Sequence, residues 1–418
     1  MKKSIVTFLL IMLALKAEAQ SSVFSVVDQL LLKGNYQMAL VQLEKEPIKT
    51  VMVFDKMANI YQSIGDFNKA IKYYEKALVI EEKEDLKVKL GVSYNSAGFP
   101  SKAITIYEDI IKKDTANLLV AHSLGKLYLA KSKAKGAEKI YRFLKEKDTL
   151  NPNYAYQLGK SLAKQGKHLK KGQSYLDAYN IDTLHLKSIY ELSKFFKELR
   201  IKDSTMLFID KGLRLDSTNI NFIQLKANVL YFAKDFDGAI EQLTKLDSLN
   251  FKSINTYEMF GMCHYKLKNL ELAEEFFKKA LKIERRNSKI LYRMGSLYYE
   301  KKDLKRAHLY IMQSIIYGRG DLDKQYLLSG IIAKDELNFK VAVNQFKEAV
   351  KYNYNNSDAL FQLAFASDSY FKDQKIAMNH YQKYVQKFEG KSPKLTEYAN
   401  RRIAEIKKEY FLKGEIVE

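Results

Sequence analysis

INTYEMFGMCHYKLKNLELAEEFFKKALKIER, residues 254–285, contains two amphipathic stretches in succession. Residues three, four and seven apart share a helical face, so Phe260, Gly261 and His264 fall on one stripe of a first helix. Ala273, Phe277 and Ala280 fall on one stripe of a second. The small residues have a physical role: where two paired helices cross, a side chain longer than a methyl group would hold the axes apart. Gly261 belongs to a series. Gly91, Gly125, Gly159, Ala227, Gly261 and Gly295 keep a 34-residue register, with Ser193 at the remaining step, and Ala103, Ala137, Ala239, Ala273 and Ala307 run in phase. A fixed period of this length marks an array of stacked helix pairs.

The pattern is fullest at Met57-Ala58, Tyr61, Gly65-Asp66-Phe67, Ala70, Tyr74 and Ala77. It returns at Leu90-Gly91/Tyr94/Ala103/Tyr107, Leu124-Gly125/Tyr128/Ala137/Tyr141 and Met294-Gly295/Tyr298/Ala307/Ile311. These residues resemble the tetratricopeptide repeat, over almost the whole chain after its first residues. The resemblance implies an all-α fold, a right-handed superhelix of the α-solenoid type, with about ten to eleven stacked antiparallel helix pairs. It also implies a binding protein of the exported bacterial type and no catalysis.

The expected organisation is a signal peptide at 1–19, a partial N-terminal repeat at 20–50 (Gly34, Tyr36, Ala39, Leu43), the array at 51–390, and a C-terminal capping helix with tail at 391–418. Leu395, Tyr398, Ile403, Ile406 and Tyr410 are the apolar positions of that cap, which a solenoid end needs because its last repeat has no neighbour. Two units are irregular: Lys171 and Thr205 stand where alanine is expected, and Arg200-Ile201-Lys202 replaces the Gly-Asp-aromatic turn. Ala307, Ala342 and Ala377 are 35 apart, so each late unit carries an extra residue.

Met1-Lys2-Lys3, the apolar run Ile5 to Leu15 and the small-x-small site Ala17-Glu18-Ala19 read as a secretory signal peptide, too short for a membrane span. The residue directly after the cleavage site is Gln20 and not a cysteine, so lipid attachment there is not expected. The expected location is outside the cytoplasm, with the periplasm first and the cell exterior second. No membrane span is expected elsewhere.

Catalytic signatures are missing from the sequence. Cys263, the one cysteine, reads as a small packing residue beside Gly261 and His264. The six histidines show no pair at metal-ligand spacing, so no metal and no cofactor are expected. Gly318-Arg319-Gly320 reads as a turn, because it lacks the preceding strand of a nucleotide-binding loop.

The formal charge of +21 falls to +19 without residues 1–19, which carry Lys2, Lys3 and Lys16 against Glu18. Such an excess favours acidic partners and keeps the protein soluble. Nucleic acid is not an expected partner of an exported chain; an extended or acidic segment of another protein is, with an acidic glycan as the second reading.

Specificity must come from the first-helix face opposite the buried small residues. Positions two before, two after and five after each one lie there, by helical spacing. In this register Lys126, Lys160 and Lys194 form one ladder, and Tyr231, Tyr265 and Tyr299 another. The candidate partner-binding groove comprises Lys126, Tyr156, Lys160, Tyr190, Lys194 and Lys197, a cationic and aromatic set, then Asn228, Tyr231, Met262, Tyr265, Tyr292 and Tyr299, which offer flat amphipathic surface. The family's carboxylate clamp for a partner's C-terminal acid is matched at Asn228, Lys289 and Arg293 and not at Gln224 or Met259. Asp114, Asp148, Asp182 and Asp216, each followed by Thr or Ser, are expected to cap the next helix.

Overall fold

The computed structural model describes residues 23–415. The expected signal peptide, residues 1–19, lies outside the described residues. Among those described, helices run from 23–32 and Tyr36–Lys45 through to Pro393–Leu412, without a strand. They follow one another in pairs, each a first helix, a tight turn and a second helix. Two compact units divide the chain, one up to Phe208 and one from Ile209.

The turns explain the pairing. Nine successive first helices, from Val51–Ser63 to Asp323–Asp335, stop at a residue with positive φ: Gly65, Gly98, Ser132, Gly166, Arg200, Lys234, Lys268, Lys302 and Leu337; the last, Ser357–Tyr370, ends at Phe371 with φ −87°. The next amide then reaches back across the last turn, as in Asp66 N to Tyr61 O at 2.9 Å, Lys133 N to Tyr128 O at 2.8 Å and Asp303 N to Tyr298 O at 2.9 Å. A left-handed residue closed by such a bond terminates a helix. That second residue also starts the following helix. The side chains of Asp66, Asp235, Asp303 and Asn338 accept from the amides of Lys69, Gly238, Arg306 and Val341. Three residues thus end one helix and cap the next, which forces the pair antiparallel.

The first unit contains the pairs Val51–Ser63/Phe67–Ile80, Glu84–Ser96/Pro100–Lys113, Leu118–Ala130/Ala134–Lys147 and Pro152–Ala163/His168–Ile181. Its small residues are faced sixteen positions later by a buried aromatic ring. A β-carbon on Gly91 would lie 2.4 Å from Tyr107, and one on Gly125 2.8 Å from Tyr141. The expectation of close helix crossing holds here. In the irregular unit the small residue is displaced by one: Gly172 is buried against Phe195, while Lys171, its side chain largely covered, pairs with Glu198 at 2.6 Å. Thr205 is buried, and its hydroxyl donates to Ile201 O at 2.7 Å. Arg200 takes the left-handed turn at φ 60° although it is not glycine.

The second unit contains Ile220–Phe232/Phe236–Ser248, Ile254–Lys266/Leu270–Ile283, Ser288–Glu300/Leu304–Tyr317, Asp323–Asp335/Phe339–Tyr352 and Ser357–Tyr370/Lys375–Phe388. Gly261 meets Phe277, Gly295 meets Ile311 and Gly330 meets Phe346 in the same way. Of the two extra residues, one lies between pairs, in the loop 318–322. The other lengthens the turn 371–374 within a pair. The last helix, Pro393–Leu412, buries Ala399, Ile406 and Tyr410 against Phe361, Tyr381 and Tyr384. Arg402 fixes it, donating from Nε and Nη2 to Asp368 at 2.7 and 3.1 Å.

One expectation is corrected. Asp114, Asp182 and Asp216 do not cap the next helix; their carboxylates accept from the amide two residues on, in Ala116, Leu184 and Thr218. The caps are Asn117, Asn151, His185 and Asn219. An aspartate that ends a helix is four residues from the next one, so it turns the loop and leaves capping to the residue adjoining the new helix.

Candidate functional site

In the first unit the ladder positions lie on the helices Leu118–Ala130, Pro152–Ala163 and Leu186–Glu198. An i, i+4 spacing places lysine one turn after tyrosine, so the Lys160 ammonium sits 5.7 Å from the Tyr156 ring and Lys194 5.3 Å from Tyr190. Lys194 also pairs with Glu191 at 3.1 Å. Tyr156 is half-buried, packed edge-on to His185, and burial raises its pKa, assisted by Glu191. Lys126 projects into solvent and helps to lower the pKa of His122, an effect due first to burial. Lys197 is exposed along its chain, yet burial of its ammonium lowers its pKa. This face therefore presents cations on aromatic shelves.

In the second unit Asn228, Tyr231 and Met262 come together with Phe232, Asn255, Glu258, Met259, Lys289 and Arg293 around a cavity of about 350 Å³. Tyr292 lies with Lys289 and Arg293 on an adjoining cavity of about 550 Å³ that also takes in Arg319, Lys324, Asp321 and Asp323. Tyr265 and Tyr299 lie outside both. Tyr265 is half-buried, and burial followed by the Glu300 charge raises its pKa. Tyr299 donates to Asp335 at 2.7 Å; burial and then this bond push its pKa up to about 12. The tyrosine ladder is thus split between a cavity wall and side chains engaged with the next helix.

Glu258 is the residue to which the sequence assigned no role. It stands on the ladder face of Ile254–Lys266 and is only 7% exposed. Its Oε2 lies 2.7 Å from Lys289 Nζ and its Oε1 3.3 Å from Arg293 Nε, both on Ser288–Glu300. The two cations that match the clamp are already engaged by a carboxylate of the chain itself.

Cys263 is fully buried, and burial pushes its thiol up to about 12, so it carries no thiolate near neutral pH. His264 stacks on Phe276 at 5.5 Å and burial lowers its pKa. Among the described residues no group of three His, Cys, Asp or Glu is arranged to hold a metal ion, and no helix is long and apolar enough to cross a membrane.

Tetratricopeptide-repeat family models match residues 53–89 and 254–287, one in each unit. The chain contains tetratricopeptide repeats. Outside those two segments the same turn and the same small-residue contact recur at Gly125, Gly295 and Gly330, so tetratricopeptide geometry extends beyond the matched residues. No curated protein matches the chain in sequence. Among solved structures, it is similar to the APC/C hetero-tetramer Cut9–Hcn1, with 14% identity over 90% of this chain and 82% of that one, at a TM-score of 0.47. A tetratricopeptide repeat protein from Parabacteroides merdae gives 18% identity over 62% and 98%, also at 0.47. Yeast Tom70 gives 13% over 93% and 96%, at 0.45.

Proposed function

We propose that the protein is a non-catalytic scaffold or adaptor of the bacterial cell envelope, exported by its N-terminal segment and most at home in the periplasm. It holds an extended segment of a partner protein along its first-helix faces. The observation that carries this reading is the repetition of half-buried tyrosines beside lysines, Tyr156 with Lys160 and Tyr190 with Lys194, on successive first helices. A half-buried tyrosine, apolar in its ring and polar at its tip, suits peptide contact, and repeated modules offer such contacts in series. The excess positive charge favours acidic stretches of the partner along the first unit.

The test is photo-cross-linking in intact cells from position 265, with exposed Lys282 on the second helix as control. Discrete protein adducts from 265 alone are expected. Adducts from neither position, with the protein retained on isolated cell-wall or capsular material, would replace this reading with glycan recognition through the same lysines and tyrosines.

A further inference from the structure

Resting on that groove reading, we infer that the second unit's cavity of about 550 Å³ receives side-chain carboxylates of the partner's extended segment, with Arg319 and Lys324 as the residues that hold them. The cavity lies at the starts of two successive first helices, Ser288–Glu300 and Asp323–Asp335, and the loop 318–322 between pairs supplies Arg319. Lys324 is 35 residues after Lys289, and each is the second residue of its helix, so the repeat presents the two lysines in the same way. Neither Arg319 nor Lys324 stands at a position of the family's clamp.

The charges around the cavity do not cancel. Lys289, Arg293, Arg319 and Lys324 line it against Asp321 and Asp323. Lys289 and Arg293 share Glu258, and Arg293 bonds it through Nε at 3.3 Å. Arg319 and Lys324 have no ion pair among the described residues, although both aspartates are near them in sequence. Asp323 is only 7% exposed and accepts instead from the side-chain amides of Asn353 and Asn356 at 3.1 and 2.9 Å. With Glu258 counted as well, four cations face three carboxylates, and the two cations without a partner are the exposed ones at the cavity rim. A concave wall of one sign concentrates the opposite charge, and a guanidinium offers a carboxylate two parallel N–H donors. An amide side chain of the same shape gains no such attraction, and a cationic one is repelled. First helices continue on both sides, at Ile254–Lys266 and Ser357–Tyr370, so an extended segment can run past the cavity and offer it a side chain and not its own chain end.

The experiment uses the full chain on three immobilised, N-acetylated nonapeptide pools built from Ser, Leu and Tyr. The first has Asp and Glu at its central positions and an amidated C-terminus, the second Asn and Gln there with the same amidation, and the third Asn and Gln with a free C-terminal carboxylate. Binding is read at about 0.3 M salt, where diffuse attraction between separated charges is screened. Arg319→Gln with Lys324→Gln removes the two unpaired cations; Lys282→Gln with Lys305→Gln removes equal charge from exposed sites on second helices. The acidic pool should exceed the amidated neutral pool about fivefold or more, a factor that hydrogen bonds to a charged group supply. That excess should persist in the Lys282/Lys305 variant and fall at least about threefold in the Arg319/Lys324 variant, with the neutral signal unchanged. An acidic pool no better than the neutral one, or a free C-terminus preferred to internal acids, overturns the inference from the unsubstituted chain alone. An acidic excess that survives loss of Arg319 and Lys324 also overturns it, and leaves the groove reading standing. If the unsubstituted chain retains no pool, the groove reading itself falls and the inference with it.

Discussion

Gly125 and Tyr141 cannot both carry a β-substituent of ordinary size: the position of a β-carbon on Gly125 is 2.8 Å from Cζ of the tyrosine ring. Tyr141 is fully buried, between its own helix and its neighbours, so the ring has nowhere to go. Gly125→Val should therefore lower stability by about 1–3 kcal/mol through overpacking, despite a better helix propensity. The Tyr141 hydroxyl has no hydrogen-bond partner, so Tyr141→Phe should be neutral or stabilising in the same thermal melts. The comparison residue is Tyr74, whose hydroxyl reaches Asn59 and Gln62 at 2.7 and 2.8 Å; Tyr74→Phe should cost about 1 kcal/mol.

The period that carries Gly125 is what made the fold readable. Small residues at a fixed step are a one-dimensional record of where helices cross, and the chain keeps that record at Gly91, Gly261 and Gly295. It fails where a neighbour substitutes, as Gly172 does beside Lys171, because helical packing needs room near a point and not at one sequence position. The site was less legible. Helical spacing placed Glu258 on the right face, yet its partners Lys289 and Arg293 come from the next pair, and their distance depends on how adjacent pairs stack. Local pattern does not fix that quantity.

Left-handed turn positions were also hidden, since most are not glycine. Leu337 has φ 60° and is 75% exposed, so its side chain gains little from burial while its β-carbon crowds the backbone. Leu337→Gly should raise stability by about 1 kcal/mol, the cost of left-handed geometry for an L-residue less the added flexibility of the unfolded chain. A fall in melting temperature would show that the side chain contributes contacts that the exposure does not reveal.

Acid sensitivity should fall on two carboxylates held at about 2, Glu138 in the first unit and Glu274 in the second, and Glu138 shows the cause. Lys167 at 2.7 Å lowers the Glu138 pKa against the effect of burial, and with Arg142 and Gln165 holds it at about 2. A depressed carboxylate contributes stability that is fully present above its unfolded pKa of about 4.3 and is lost as pH falls through the folded value. Stability should thus decline between about pH 4.5 and pH 2. Glu138→Gln should be less stable at pH 7 and show a flatter acid limb over that window, read from urea melts across pH; an unchanged limb would assign the acid loss elsewhere.

The last prediction concerns the end of the array. Arg402 joins the final helix to Asp368 through two nitrogens, and Tyr410 adds a bond to Asp373 at 2.9 Å. Removing Asp368 takes away both of its bonds to Arg402, while Arg402 keeps Glu405 at 3.1 Å and Glu409 at 3.3 Å on its own helix. Asp368→Ala should cost about 1.5–3 kcal/mol, the loss of hydrogen bonds to a charged group, whereas Arg401→Ala, whose partner Glu405 is 3.9 Å away and half exposed, should cost under about 0.5 kcal/mol. Because stacked repeats couple mainly to their nearest neighbours, the loss at Asp368 should be local. Hydrogen exchange should therefore quicken in Ser357–Tyr370 and Pro393–Leu412 and stay unchanged in Ile254–Lys266. Uniform quickening throughout the second unit would mean that the last helix supports the whole stack and not its final pair alone.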